Sequence, residues 1–132
     1  MIRVLAIGAI LSAAALPGLA HHSLAAYFDV SKPLLLHGIV TRVDWMNPHV
    51  RFWMDVKDET GKVTTWEFEL GSPNTLLRSG LSRNSLKIGE EIKVRGCRAK
   101  DSATEGNATS IWSQDGKTLL SGTADGQDLV AR

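Results

Sequence analysis

One stretch constrains the fold of this chain more than any other: the alternating run from residue 50 to residue 57 and the corner that leads into it. Val50, Phe52, Met54 and Val56 alternate with Arg51, Trp53, Asp55 and Lys57. A period of two places successive side chains on opposite faces of a strand, so this segment has one buried and one wet face. Just before it, Asn47-Pro48 reads as a turn, because Pro48 has no N–H to give a ladder and biases Asn47 toward extended backbone. His49 opens the strand at the rim of the expected core. There an imidazole is held by packing yet can still reach solvent or a metal ion, although a corner histidine also serves simply to bond a turn carbonyl.

The segments on either side extend this pattern into a sheet. Residues 34–45 read as a long first strand in which Leu36, Gly38 and Val40 share one parity while Val43 and Trp45 share the other. A bulge near Thr41-Arg42 reconciles the two, and bulged long strands are what a small barrel needs in order to curl. His37 falls on the outward parity and ranks third among candidate ligands. Residues 58–62, with Gly61, close a hairpin into a third strand over 63–70, where Trp66, Phe68 and Leu70 share a face and Glu67 and Glu69 point to solvent. Ser72-Pro73 has the form of an N-cap and first helical residue, and Gly80 of a stop. A helix of about two turns is not stable alone, so Leu76 and Leu77 are expected to plug the open end of a barrel. Further strands follow over 91–98, 108–113 and 117–121, the last two joined by Asp115-Gly116. Residues 99–107 show no apolar period and are expected to form a mobile loop. Three strands in meander, a helix, then two or three more strands is the order of an OB-fold barrel of five or six strands. The fold class is therefore mainly β, with one short helix between the third and fourth strands.

The ends of the chain set its address. Arg3, an apolar run over 4–16 and the ending Pro17-Gly18-Leu19-Ala20 have the layout of a secretory signal peptide cleaved after Ala20. The apolar run is shorter than the roughly 20 residues needed to span a bilayer, so no membrane span is expected once the signal is removed. Removing the first 20 of 132 residues leaves 112, enough for a 13-residue arm over 21–33, one barrel domain over 34–121 and a frayed tail over 122–132. A periplasmic or secreted location follows. Without Arg3, 14 basic and 14 acidic side chains remain and balance. That leaves no global basic surplus for a nucleic-acid partner. Cys97 is the only cysteine, so no internal disulfide forms, and its strand-like setting suits a small buried hydrophobe better than a reactive thiol.

Cleavage after Ala20 would expose His21-His22-Ser23 as the new terminus. A terminal histidine chelates by construction, since its free amine and ring nitrogen bind one ion together, and nitrogen donors of this kind suit Cu(II) in tetragonal geometry. The candidate metal ligands are therefore His21, His22 and His49, with one copper ion as the expected cofactor. The alternative is a frayed terminus on an OB-type module that grips an unidentified periplasmic ligand or protein without metal, with outward Trp53 as the contact residue. A copper-dependent oxidase ranks third. No nucleophile elbow or phosphate-cradling glycine loop is present, so an enzyme is not the expectation.

These residues also resemble a known family. The start His21-His22-Ser23 with Phe28-Asp29, the run Leu36-His37-Gly38-Ile39-Val40, the corner Trp45-Met46-Asn47-Pro48-His49, and the segments Trp66-Glu67-Phe68-Glu69, Ser72-Pro73-Asn74-Thr75-Leu76-Leu77 and Ser85-Leu86-Lys87-Ile88-Gly89-Glu90 look like the small exported bacterial proteins grouped as domain of unknown function family 6152. The likeness spans nearly the whole chain after residue 20. It departs at Leu81, where a tryptophan often stands, and over 99–106, which lack the usual proline-containing run. The resemblance implies export and a single fold, and it supplies no activity.

Cleavage is directly measurable. The intact mass of protein recovered from the export compartment is expected to correspond to a chain beginning at His21; a mass that places the first residue elsewhere removes the amine ligand.

Overall fold

The computed structural model describes residues 24–122. The signal segment, His21 and His22, and the tail over 123–132 lie outside the described residues. A short helix α1 (Leu24–Tyr27) leads into β1 (Phe28–Asp44), followed by β2 (Arg51–Lys57), β3 (Val63–Glu69), α2 (Pro73–Arg78), β4 (Glu91–Ala99), β5 (Glu105–Ser113) and β6 (Thr118–Leu120). The strand order is β3-β2-β1-β4-β5-β6, and an additional parallel pairing of β3 with β5 closes the ring. This is the connectivity of an OB-type barrel, with α2 between β3 and β4.

The first strand does the curling. Its register with β2 shifts between Val40 and Arg42, and its register with β4 shifts between Asp29 and Pro33. The first irregularity is the bulge that the change of parity predicts. The second lies within the residues expected to form an ordered arm docked through Tyr27 and Phe28; β1 begins at Phe28, which is buried. Val40, Phe52, Met54, Phe68, Ile92, Val94 and Ile111 fill the interior. Phe52 and Phe68 stack there with ring centroids 5.3 Å apart.

Closure depends on small residues. β5 approaches β4 so closely that a Cβ at Gly96 would sit 1.9 Å from the Asn107 carbonyl oxygen, and one at Gly106 would sit 2.9 Å from the Cys97 carbonyl oxygen. Residues 105–107 pair with Glu67, Phe68 and Glu69 on one side and with Cys97 and Arg98 on the other. The mobile loop expected over 99–107 is thus corrected at its end: Glu105, Gly106 and Asn107 are the closing strand. Their lack of apolar periodicity reflects a need for backbone contact rather than solvation.

The helix also departs from expectation in one respect. Ser72 caps it, its hydroxyl accepting from the Thr75 N–H at 3.3 Å, and Gly80 follows at φ +88°. Leu76 is fully buried, but Leu77 is 54% exposed. Consecutive helical residues point about 100° apart, so one leucine plugs the barrel and the other cannot. Leu81 and Leu86, from the connection after the helix, complete the plug. Cys97 is buried, and burial pushes its thiol above the usual range. It behaves as the small core residue expected.

Two measurements test this packing. In urea titrations Leu76→Ala is expected to cost about 2–4 kcal/mol and Leu77→Ala under about 1 kcal/mol, the difference between a core cavity and a surface truncation. Gly96→Ala is expected to lose at least about 2 kcal/mol, because backbone must move to admit the methyl group.

Candidate functional site

The corner that carries His49 is held from both sides by backbone. Val50 N–H donates to the Gly71 carbonyl at 3.0 Å, and Leu70 N–H returns to the Val50 carbonyl at 2.8 Å, just beyond the paired ends of β2 and β3. The Asn47-Pro48 peptide is cis. The backbone pairing of Val50 with Leu70 and Gly71 sets His49 beside the end of β3, where its Nδ1 stands 3.1 Å from Glu69 Oε1. Arg51 holds the same carboxylate, donating from Nη2 to Glu69 Oε2 at 3.3 Å and from Nη1 to Glu67 Oε1 at 3.2 Å. His49, Glu69, Arg51 and Glu67 form a continuous polar chain across the β2–β3 ladder, in which Arg51 and Glu69 are direct partners. An anionic oxygen this close to Nδ1 favours the proton on that nitrogen. Nε2 is then the nitrogen whose lone pair is left for a ligand.

Two cavities meet at this corner. The larger, of about 490 Å³, is lined by Leu24, Tyr27, His49, Glu69, Asp101 and Glu105 among others. The smaller, of about 330 Å³, is bounded by Pro48, His49, Arg51 and Trp53. The amino-terminal helix reaches the larger cavity because Lys100 fastens it: its backbone N–H donates to the Tyr27 carbonyl at 2.9 Å and its Nζ to the Ala25 carbonyl at 2.5 Å. Glu105 and Asp101 arrive through closure of the barrel. Three carboxylates, an imidazole and one guanidinium give the larger cavity an excess of acid and favour cationic guests.

The predicted site residues separate clearly. His49 and Trp53 line the smaller cavity together. Trp53 is half-buried, and the Arg42 guanidinium lies 4.4 Å from its ring centroid, so one face of the indole is already covered. His37 is on the outer face of β1, its Nε2 3.2 Å from Glu91 Oε1 and with no share in the corner. His21 and His22 lie outside the described residues. Among the described residues, no three of His, Cys, Asp and Glu group so as to hold a metal ion. His49 thus offers one nitrogen, and a complete donor set needs ligands from outside the described residues.

Sequence reasoning missed Glu69 and Arg51, treating Glu67 and Glu69 as a solvated face. A signal was present: the hairpin at 58–62 pairs Lys57 with Val63, and counting back along both strands pairs Arg51 with Glu69. Asp101 and Glu105 carried no such signal, since they meet the corner only once the ring closes.

A family model described as "Family of unknown function (DUF6152)" matches residues 9–109. No curated protein matches the chain. Among solved structures, the chain is similar to the mitochondrial single-stranded DNA binding protein Rim1 from S. cerevisiae, at 9% identity and a TM-score of 0.48, over 72% of this chain and 98% of that one. No helix among the described residues is long and apolar enough to cross a membrane.

The tautomer is open to measurement. Long-range ¹⁵N correlation of neutral His49 is expected to show Nδ1 protonated and Nε2 bare, and Glu69→Ala is expected to shift that balance toward Nε2–H; an unchanged pattern in the variant would mean that Glu69 does not orient the ring.

Proposed function

The chain belongs to the DUF6152 family, described only as of unknown function, and from its site we propose an exported metal-binding protein that takes one copper ion between its processed amino terminus and His49. In this reading the signal is cleaved after Ala20 in the periplasm. His21 supplies its amine and ring nitrogen, His49 supplies Nε2, and His22 is the remaining candidate ligand.

The observation that carries the reading is that Leu24 and His49 line one cavity. His21 is three residues ahead of Leu24, and three extended residues reach at most about 11 Å, a length that would let a new terminus approach the corner. Fastening of α1 by Lys100 keeps that tether short. Glu69 supports the same reading by favouring the tautomer that frees Nε2, the role a carboxylate plays behind many ligating histidines. The surrounding acids favour a cation over a neutral guest. Copper is preferred because amine and imidazole nitrogens without thiolate match a tetragonal Cu(II) set.

A second reading, a metal-free module gripping an unidentified periplasmic ligand or protein, draws on the smaller cavity beside Trp53. The Arg42 guanidinium over the indole weakens it, because a ligand must share or displace that stack.

Titration of the form beginning at His21 with Cu(II) distinguishes the readings. His21→Ala and His49→Ala are each expected to weaken binding at least about tenfold, ~1.4 kcal/mol. Equal affinity in wild type and His49→Ala removes His49 from the site and, with it, the proposed bridge.

A further inference from the structure

We propose that the outer face of β1, β4 and β5, opposite in charge to the His49 cavity and independent of the metal reading, binds an acidic glycan whose sugars carry carboxylates. Three observations meet there. The register sets His37 beside Lys93 and Lys93 beside Trp112, and in the next row Leu35 beside Arg95 and Arg95 beside Ser110. All these side chains share the outward face, because Leu36, Val94 and Ile111 take the inward one. A groove of about 510 Å³ runs over Leu35, His37, Lys93, Arg95, Trp112 and Gln114.

The charges on this face are available. Lys93 and Arg95 are exposed and have no carboxylate partner among the described residues, whereas the nearby Glu91 is engaged by His37 Nε2 at 3.2 Å and accepts from Gln114 Nε2 at 2.7 Å. The Arg95 guanidinium stands 5.7 Å from the Trp112 ring centroid. A guanidinium beside an indole keeps N–H donors for a carboxylate, and Lys93, two residues along the same face with its Cα about 7 Å away, supplies a second cation. Leu35, 56% exposed, adds apolar surface beside them.

The same features select the ligand class. β4, which carries Lys93 and Arg95, is paired with β1 on one side and β5 on the other, so a ligand seated over these two residues meets side chains rather than free backbone. A concave groove does not follow a planar bilayer. Two unpaired cations next to an acid suit a ligand of sparse charge better than one with a phosphate at every unit. A uronate-type sugar has both parts that the face can use: an anionic carboxylate for Arg95 and Lys93, and a C–H face for the exposed Leu35 beside them.

The test uses the protein without its signal and a galacturonate oligosaccharide as probe, with binding followed by calorimetry and by the Trp112 indole N–H resonance. Saturable binding that shifts this resonance is expected, and the exposed double variant Lys93→Ala/Arg95→Ala, with its melting temperature checked, is expected to bind at least about tenfold more weakly. Affinity unchanged in that variant, or no binding at millimolar sugar, overturns the proposal. Equal or tighter binding of neutral dextran, poly-L-glutamate, anionic phospholipid vesicles or a single-stranded oligonucleotide overturns the assignment to acidic glycans.

Discussion

The approach of β5 to β3 and β4 at once is the constraint on which this molecule rests. An open sheet leaves edge strands exposed, and here the end of β3 pairs with the start of β5 to close the ring, with β6 continuing the sheet beyond β5. This closure brings three backbones together around residues 105–107, and the chain meets that requirement by omitting side chains at Gly96 and Gly106. Asn107 completes the seam: it is buried, and its side-chain amide donates to the Glu69 carbonyl at 3.1 Å, so the polar group at the closure has a partner. A buried amide without one would oppose closure by about 1–3 kcal/mol.

The seam also decides where chemistry is possible. Glu69 is the last residue of β3 and the partner of Asn107 in the parallel pairing, so the carboxylate beside His49 stands at the point where the ring is sealed. Asp101, from the loop that precedes the closing strand, and Glu105, the first residue of that strand, enter the same cavity. Acid is thus concentrated at one end of the barrel, while the unpaired Lys93 and Arg95 occupy the outer face of β4. A chain with near-balanced formal charge therefore carries two surfaces of opposite character, which the overall count conceals.

Much of the fold was legible because its evidence is local. Alternation in β2 and β3, the parity change before Arg42, the Ser72-Pro73 start of α2 and the turn at Gly61 each act over a few residues, and the six strands follow from them. The beginning of β5 was not legible, because Glu105-Gly106-Asn107 has the composition of a loop when read alone and becomes a strand only through partners some 10 to 40 residues away. Leu77 illustrates a different limit: both leucines suit a plug, but helix geometry seats one. At the site, His49 stood out as an imidazole at a strand start, and the Arg51–Glu69 pairing could be counted from the hairpin. The rest of the cavity is assembled by closure and leaves no pattern in the order of residues.

The rigidity of the corner bears on what a ligand there would experience. His49 is followed at once by Val50, fully buried and bonded through both of its backbone groups, so the ring's root is fixed by the core rather than by a loop. Glu69 is likewise held by Arg51, which itself spans two carboxylates. A donor nitrogen prepared in this way loses little freedom on binding. Affinity at such a site would depend on how firmly α1 is seated as well as on the imidazole. The two hydrogen bonds from Lys100 to α1, remote from any donor atom, are therefore as much a part of the proposed site as the histidine itself.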